Sequence, residues 1–411
     1  MEYVDLAIIG GGAAGFFAAA NVAEHSDGRR IVIFEKSNKV LSKVLVSGGG
    51  RCNVSHACFD PKELISYYPR GGKELLGPFH RFQPGDTMDW FSERGVELKV
   101  EDDNRIFPRS DRSSSIANCL QKIADESGVK IITSYGLTHL HPPSRPGQHW
   151  LLTFNGEVKI AAEKVLISTG SSATMWSILQ SDTRHRIVEP VPSLFTFQLS
   201  DKALSELSGI SVLQAYLRVA DTDLEATGPL LITHRGLSGP AVLRLSAWGA
   251  QVLASKSYRF KLLVNWINSG EPEAKEDLRE FSRREGKRHV KSCNPWGLPQ
   301  NLWKYLAVEV ADELRWAEMR AETLDLLARK STNQEHLVTG KNTFKEEFVT
   351  AGGIDLKEVD FRTMESKLHH GLYFAGEVLD IDAITGGFNF QAAWTGGWIA
   401  AGAIKESWEK H

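Results

Sequence analysis

The feature that most constrains this chain is a glycine-rich turn near its beginning. Residues 4–9 form a short apolar run, as expected of a strand that is buried on both faces of a parallel sheet. Gly10, Gly12 and Gly15 follow in the spacing G-x-G-x-x-G, and an alanine-rich stretch to residue 24 predicts a helix. Strand, turn and helix together predict the first βαβ unit of a doubly wound α/β domain that binds a dinucleotide.

Each position of the turn has a physical role in this hypothesis. Gly10 permits the tight turn, Gly12 lets the backbone approach a pyrophosphate, and Gly15 lets the helix pack on the strand. The helix begins at Ala13 and Ala14, where free N–H groups and a partial positive charge favour phosphate. The alternative is a glycine turn that serves only the fold.

An acidic residue follows at the distance that such a site requires. Glu35 lies 20 residues after Gly15, directly after the buried run 31–34, and Lys36 is next. A carboxylate here accepts hydrogen bonds from ribose hydroxyls and repels a 2′-phosphate, so FAD or NAD is favoured over NADP. The alternative is a solvated Glu.

A second glycine-rich segment near the end of the chain favours FAD. There is no second G-x-G-x-x-G, but Gly376 and Glu377 follow an apolar run, and Gly387 precedes a predicted helix. A flavin needs a second set of backbone donors for its ribityl chain and ring. A helix starting at Phe388 would direct its N-terminus at the flavin and stabilise negative charge on the reduced ring.

Composition limits the classes of partner, metal site and cellular location that the chain can be expected to have. The 48 basic and 51 acidic residues nearly cancel, so we expect no global attraction to nucleic acid or membranes. Four scattered cysteines without a CxxC pair predict neither a disulfide framework nor a metal site. Residues 1–5 carry two acids and no base, the reverse of a signal peptide. We expect a cytoplasmic protein with no membrane contact and no obligate protein partner.

The pattern changes in the middle of the chain. Short alternating runs between about residues 190 and 268 predict antiparallel strands or a small barrel, and the highly charged stretch that follows predicts helices. We therefore predict a discontinuous Rossmann-like FAD-binding domain, residues 1–190 and 345–411. It is interrupted by a β-rich, barrel-like insert at 191–270, with strands from 330–345, and by a helical subdomain at 271–340.

Several segments together resemble a known family. They are residues 47–53 (Ser-Gly-Gly-Gly-Arg-Cys-Asn), 105–108 (Arg-Ile-Phe-Pro), 192–194, 233–240 (Thr-His-Arg-Gly-Leu-Ser-Gly-Pro), 350–353, 371–380 and 385–389. With the first glycine turn, they make the chain similar to two-dinucleotide-binding-domain flavoproteins. Within these it resembles the bacterial aminoacetone-oxidase-like (BaiN/RdsA, YhiN-type) family of NAD(P)/FAD-dependent oxidoreductases. The resemblance covers nearly the whole chain, and departs at Ser55-His56 and Asp382-Ala383.

The resemblance implies tightly bound FAD and further cofactor contacts. Gly48 and Gly49 would let the backbone approach the cofactor, Arg51 and Lys43 would neutralise phosphate, and Asn53 would bond the ring or ribityl chain. The alternative is a flexible glycine hinge. Beyond Gly10, Gly12, Ala13, Ala14, Gly15, Glu35 and Lys36, the expected cofactor set is Lys43, Ser47, Gly48, Gly49, Arg51, Cys52, Asn53, Leu137, Thr169, Gly170, Gly376, Glu377, Gly387, Phe388, Asn389 and Phe390.

Candidate catalytic residues lie in the insert. His234 could act as acid or base, and Ser238 lies four residues later in the same glycine-containing turn. We expect this turn to converge with residues 47–53 and 380–389 at the flavin; the alternative is a turn with a capping Ser and a solvated His. Cys52 could exchange electrons with the flavin, but with no partner thiol a packed side chain is the favoured interpretation.

The sequence leaves the substrate open. We expect hydride transfer between a substrate carbon and the flavin, with NADH or NADPH as a transiently bound reductant. The substrate is a small molecule or a base in ribosomal RNA, reduced to dihydrouridine; a non-catalytic flavin-binding protein is the alternative. Residues 283–291 hold five Lys or Arg against one Glu, which suggests RNA binding or, alternatively, a solvated helix face.

Overall fold

The computed structural model describes residues 2–24, 28–145, 147–342 and 349–409. The chain forms two compact units, one of Met1–Val191 with Val349–His411 and one of Pro192–Phe348. We call them the first unit and the second unit.

The chain up to the second unit forms both strands and helices. The strands are β1 (Glu2–Ile9), β2 (Ile31–Phe34), β3 (Ser55–His56), β4 (Leu98–Val100), β5 (Arg105–Pro108), β6 (Lys130–Ile132), β7 (Leu137–His141), β8 (Trp150–Phe154), β9 (Val158–Ile167) and β10 (Ile187–Ser193). The helices are α1 (Ala13–Ala23), α2 (Ser42–Gly50), α3 (Pro61–Leu64), α4 (Gly72–Phe79), α5 (Pro84–Glu93), α6 (Ser113–Glu126) and α7 (Ala173–Asp182).

The second unit contains six strands, β11 (Thr196–Leu199), β12 (Ser211–Val219), β13 (Glu225–Thr233), β14 (Gly236–Ser238), β15 (Phe260–Asn265) and β16 (Gln334–Asn342), within its described residues. Its helices are α8 (Lys202–Ser205), α9 (Pro240–Trp248), α10 (Ala250–Ser255), α11 (Glu271–Glu285), α12 (Gln300–Ala311) and α13 (Ala321–Thr332). The chain then returns through β17 (Val349–Ile354), β18 (Val359–Asp360), β19 (Glu365–Ser366), β20 (Leu372–Phe374) and α14 (Phe388–Glu409). Single 3₁₀ turns lie at Ile65–Tyr67, Asn155–Glu157, Val290–Ser292, Trp316–Glu318 and Leu356–Glu358.

The first unit is built on a largely parallel sheet with the strand order β18-β19-β20-β9-β1-β2-β6, while β8 joins β9 and β7 joins β8. Leu6 of β1 aligns with Ile31 of β2 on one side and with Lys164 of β9 on the other. All four residues of β2 are buried, which explains its unbroken apolar sequence. The carboxyl ends of β1, β2, β9 and β20 therefore meet at one edge.

Two helices with small residues pack together on this sheet. Within α1, the residues from Ala14 to Val22 are all buried. A Cβ added to Gly397 of α14 would lie 2.8 Å from the carbonyl oxygen of Ala14, so the two backbones approach closely only because Gly397 has no side chain. This contact ties the last helix of the chain to the first.

The second unit contains a closed antiparallel barrel with the strand order β11-β14-β13-β12-β15-β16, in which β16 also pairs with β11. Alternate residues are buried along β13 and, from Ala215 onward, along β12, as the period of two in their sequences requires. Closure leaves these strands without a free edge. The predicted fold class, a doubly wound domain with a barrel-like insert and helices, is confirmed. The predicted domain boundaries stay a prediction, and the start at 345 lies outside the described residues.

Of the helices in the described ranges, none has the length and apolar composition that a membrane crossing requires.

A buried histidine makes the stability of the first unit sensitive to acid. His185 Nδ1 lies 2.7 Å from the Thr183 hydroxyl, and its Nε2 lies 2.8 Å from the Ser366 hydroxyl. Burial, with a smaller contribution from neighbouring His369, lowers the pKa of His185 from 6.5 to about 4. The folded protein therefore keeps this imidazole neutral under conditions in which the unfolded chain protonates it.

We expect the free energy of unfolding to fall as the pH drops from about 6.5 to about 4. In this window the unfolded chain binds one more proton at His185 than the folded chain, which costs up to roughly 3 kcal/mol. Urea unfolding at several pH values measures the effect. Between pH 6.5 and about 4, the free energy of unfolding of His185→Gln should fall less than that of the wild type. The free energy of unfolding of His80→Gln, a substitution at an exposed position, should fall as much as that of the wild type. Equal pH slopes for His185→Gln and the wild type would contradict this assignment.

Candidate functional site

A pocket of about 120 Å³ opens at the carboxyl ends of β1 and β2. Its lining includes five residues of the predicted cofactor set: Gly10, Glu35, Lys36, Leu137 and Thr169. Its other lining residues are Ile9, Phe34, Tyr135, Gly136, Ser172, Thr174 and Met175. The pocket has apolar walls and one carboxylate, a combination suited to an adenosine group.

Backbone donors hold the carboxylate of Glu35 in place. Its Oε2 accepts a hydrogen bond from the Gly11 N–H and its Oε1 accepts one from the Ser37 N–H, both at 2.9 Å. These bonds leave other lone pairs of the carboxylate available to hydroxyl groups. The first glycine turn and the second strand are thus joined through the residue that the sequence assigns to ribose.

The glycines of the turn differ in what surrounds them. A Cβ on Gly10 would lie 2.6 Å from the Ser168 oxygen, and one on Gly15 would clash with the Gly10 oxygen, so the fold requires both glycines. Gly12 has φ −96° and ψ −166°, and a Cβ there would meet no atom within 4 Å. The fold therefore does not require Gly12. It leaves an open space at the N-terminus of α1, where an anion is favoured.

Lys43 and Glu377 form an ion pair beside Gly170. A Cβ on Gly170 would lie 3.5 Å from Glu377 Oε2 and 4.0 Å from Lys43 Nζ. Gly376 approaches the start of α1, since a Cβ there would lie 3.3 Å from that of Ala14. The structure thus brings these predicted residues from α2, the end of β20 and the loop after β9 close to the first glycine turn.

The backbone leaves the helical conformation at the end of α2. Ser47 is extended, with ψ 151°, and Gly48 and Gly49 have φ of 57° and 67°. The turn closes through a hydrogen bond of 3.0 Å from the Cys52 N–H to the Ser47 oxygen. Gly49 has no neighbour within 4 Å of an added Cβ, so this turn presents open backbone to a ligand.

Cys52 and Arg51, next in the chain, both make internal contacts. Burial raises the pKa of the Cys52 thiol to about 12, so the thiol stays protonated at neutral pH, which supports the packed interpretation. The Arg51 guanidinium pairs with Glu101 and Asp111 and lies 4.0 Å from the centre of the Phe107 ring. A phosphate contact of Arg51 stays a prediction, and it would compete with these two carboxylates.

Asn53 joins the two glycine-rich segments. In the amide orientation that satisfies both neighbours, its nitrogen donates to the Ser55 oxygen at 3.0 Å and its oxygen accepts from the Gly387 N–H at 3.1 Å. Gly387 has φ +94°, and a Cβ there would clash with the Ser55 oxygen. Because its amide bonds to backbone groups of both segments, Asn53 holds the start of α14 in place.

The residues at the start of α14 are partly engaged within the protein. The Asn389 amide accepts from the Ala383 N–H and donates to the Ala383 oxygen, both at 3.0 Å. Phe388 is buried, and half-buried Phe390 stacks on Trp394 with ring centres 5.6 Å apart. Direct contacts of these three side chains with a cofactor stay a prediction.

Sequence reasoning missed two groups at this junction. Tyr67 and His56 both pack on the Phe388 ring, with centres 4.4 and 4.5 Å away. The buried Nδ1 of His56 has no hydrogen-bond partner among the described residues. Asp382, fully buried, forms a two-point ion pair with Arg70. The departure from the family pattern at Ser55-His56 was a signal for the first group, whereas no sequence signal linked Arg70 to Asp382.

The predicted catalytic residues lie in the second unit. His234 is exposed in the turn between β13 and β14, and half-buried Ser238 ends β14, opposite Leu231. The Thr233 hydroxyl donates to the Gly236 oxygen at 3.1 Å and closes the turn. The roles of His234 and Ser238 toward a flavin stay a prediction.

The basic stretch 283–291 is largely neutralised. Arg283 pairs with Glu276, Arg284 and Arg288 with Glu285, and the Lys291 ammonium pairs with Asp312 and Glu313. Paired cations attract phosphate weakly, so these contacts favour the interpretation of a solvated helix face.

Known proteins are similar to this chain along nearly its whole length. The model of the family described as HI0933-like protein Rossmann domain matches residues 4–403. The chain is 28% identical to a ribosomal RNA dihydrouridine synthase of Haemophilus influenzae and 29% identical to one of Escherichia coli, over 98% of this chain and 99% and 98% of those proteins. It is 26% identical to a 3-dehydro-bile acid delta(4,6)-reductase of Clostridium scindens, over 98% of this chain and 99% of that protein.

A solved structure shares the fold. The chain superposes on 3-ketosteroid delta1-dehydrogenase from Sterolibacterium denitrificans with a TM-score of 0.53 and 11% identity, over 99% of this chain and 100% of that one.

Proposed function

The chain belongs to the HI0933-like Rossmann-domain family and is an FAD-dependent oxidoreductase, and we propose that it reduces a carbon–carbon double bond of a uracil base in RNA. The relatives that support this substrate are matched along almost their whole length, and both are named for dihydrouridine, which is uridine with its ring double bond reduced.

The structural observation that supports the cofactor in this proposal is the open space at Gly12. A Cβ there would meet no protein atom within 4 Å, although the neighbouring positions of the turn are tightly packed. Such a space beside a helix N-terminus fits a pyrophosphate, and the pocket at Glu35 lies next to it along the same turn. These residues fit the adenosine and pyrophosphate parts of FAD.

The other residues divide into two groups in this proposal. Lys43 and Glu377 would bind the phosphate and the ribityl hydroxyls, and their ion pair would open or be bridged when the ligand enters. Gly49 and the N-terminus of α14 would hold the flavin end, with Asn53 fixing their separation. FAD bound there would, in its reduced form, supply the hydride.

The protein has to supply a proton as well. Reduction of the double bond adds a hydride to one carbon and a proton to the other, so a side chain or water must hold a proton beside the base. His234 and Ser238 stay the candidates for the group that holds this proton. A transiently bound NADH or NADPH would restore the reduced cofactor.

The proposed location of the protein is the cytoplasm, which accords with four cysteines that form no disulfide.

A second candidate is reduction of a small-molecule substrate whose double bond is conjugated with a carbonyl group. The relative named as a bile acid reductase supports it. Both candidates require the same hydride and proton chemistry, so the distinction between them lies in how the substrate is bound.

The test uses purified protein under anaerobic conditions. FAD should be released on denaturation, and NADH or NADPH should bleach the bound flavin. Uridine-containing ribosomal RNA should then restore its colour and gain two hydrogens per modified base, as measured by mass spectrometry of nucleosides. Release of FMN or of no flavin would exclude the proposed cofactor, and oxidation by small enones but never by RNA would favour the second candidate.

A further inference from the structure

One segment of the second unit has an unusual charge composition. Between Glu225 and Glu271 there is no Asp or Glu, although the chain contains 51 acids in 411 residues. The same segment contains five basic residues, Arg235, Arg244, Lys256, Arg259 and Lys261. A uniform sign over so long a segment favours a polyanionic partner.

Helices α9 and α10 arrange part of this segment as a stripe. They follow each other almost without a break, because the Gly249 N–H donates to the Leu245 oxygen at 2.9 Å and the Leu253 N–H donates to the Gly249 oxygen at 2.8 Å. Positions 244, 248, 252 and 256 are therefore spaced by about one turn along one side.

The stripe is open to solvent while the other side is buried. Trp248 and Val252 are 37% and 41% exposed, and Arg244 is exposed as well. Leu245 and Leu253, on the opposite side, are fully buried. Trp248 therefore leaves part of its ring open to a ligand.

Four of the five basic side chains of this segment have no acidic partner in the described part of the chain. Among the described residues, Arg235, Arg244, Lys256 and Arg259 form no ion pair, unlike the cations of the 283–291 stretch, and Lys261 pairs with Glu335. The Arg244 guanidinium lies 5.2 Å from the centre of the Trp248 ring, and the Lys341 ammonium lies 4.2 Å from that of Tyr258. Unpaired cations beside aromatic rings are the groups that bind phosphates and stack bases.

Arg259 continues from the end of the stripe, since it is exposed and its N–H donates to the Lys256 oxygen at 3.0 Å. We propose that Arg244, Trp248, Lys256 and Arg259, which we call the basic stripe, form the surface that docks single-stranded RNA. The inference rests on the proposed RNA substrate and adds where the RNA is held. The cations contact the phosphate backbone, and the Trp248 ring stacks on a base. Since these contacts read no base edge, the stripe binds RNA without sequence preference, and selection of the reduced base takes place elsewhere.

The test compares two charge reversals of equal size in the FAD-loaded protein. The double variant Arg244→Glu/Arg259→Glu removes two unpaired cations, and the control Arg283→Glu/Arg284→Glu removes two paired ones. Binding of a fluorescein-labelled single-stranded RNA oligonucleotide is measured by anisotropy at several salt concentrations. We expect the first variant to bind at least about tenfold more weakly, with a salt slope smaller by roughly two, and the control to stay near the wild type.

Further measurements separate the possible failures. Both variants should keep wild-type FAD content and the wild-type rate of flavin bleaching by NADH or NADPH, which shows that they are folded. Trp248→Ala should weaken RNA binding with an unchanged salt slope, because it removes stacking and no charge. Equal RNA affinity of the two charge variants would overturn the stripe and leave the proposed function intact.

Two other results also count against the stripe. A wild-type protein that neither binds nor reduces RNA would overturn both the proposed function and the inference. Loss of binding to vesicles of anionic phospholipid in the first variant, with RNA binding unchanged, would assign the stripe to a lipid surface instead.

Discussion

Gly12→Val is expected to yield a folded protein that contains no FAD. The backbone of Gly12 lies in the extended region that valine prefers, and a Cβ there would touch no protein atom within 4 Å. The added side chain would instead fill the space at the N-terminus of α1 that we assign to the pyrophosphate. The measurement is the absorbance of the purified protein near the flavin maximum, with chromatography of the cofactor released on denaturation.

Gly402→Val is the matched control for this variant. Gly402 lies in α14, has no atom within 4 Å of an added Cβ, and is distant from the first glycine turn in sequence. It should retain FAD fully. Gly15→Val is the opposite case, since its Cβ would clash with the Gly10 oxygen, and loss of the folded protein is expected. If Gly12→Val binds FAD as tightly as the control does, the cofactor site assigned to this turn is wrong.

Arg70→Ala is expected to lower the free energy of unfolding of the first unit by about 3–5 kcal/mol. The carboxylate of Asp382 is fully buried, and Arg70 binds it at two points while remaining only 15% exposed itself. Removing the guanidinium leaves the buried charge without its principal counterion. Urea unfolding followed by circular dichroism measures the loss. The free energy of unfolding of Arg70→Lys should lie between those of the wild type and Arg70→Ala, because an ammonium cannot form the two-point contact.

The control is an ion pair at the surface of the same unit. Lys122 and Glu126 lie one turn apart on α6, with side chains 71% and 65% exposed. Lys122→Ala should change the free energy of unfolding by no more than about 0.5 kcal/mol. An equally small change for Arg70→Ala would mean that the buried pair does not support the turn between β20 and α14.

The local elements of the first unit could be predicted because each has a strong signal in its own sequence. The buried run before Gly10 and the alanine-rich stretch after it became β1 and α1, and Gly387 directly precedes α14. The position of Glu35 at the end of β2 followed from its spacing alone, as did its place beside the first glycine turn. These inferences depend on neighbours in the chain, where periodicity and glycine placement are informative.

Long-range pairing was harder to foresee. No local pattern indicated that Arg51 would pair with Glu101 and Asp111, or that the basic run 283–291 would find acids on α11 and near residue 312. The sequence showed an excess of cations there, and only the folded chain showed their partners. Of the unpaired cations, Arg244 lies on α9, and Lys256 and Arg259 follow the end of α10; the alternating pattern of the segment did not predict these two helices.

The sequence by itself determined the class of the fold, the family and the glycine turn between β1 and α1, since hydrophobic periodicity and glycine spacing are set by residues close together in the chain. Tertiary structure alone decided which side chains are free to act. It joined Asn53 to Gly387, buried the thiol of Cys52, and left Arg244 and Trp248 exposed. The physical reason is that burial and charge pairing depend on residues far apart in the chain, and their energies exist only once the fold brings those residues together.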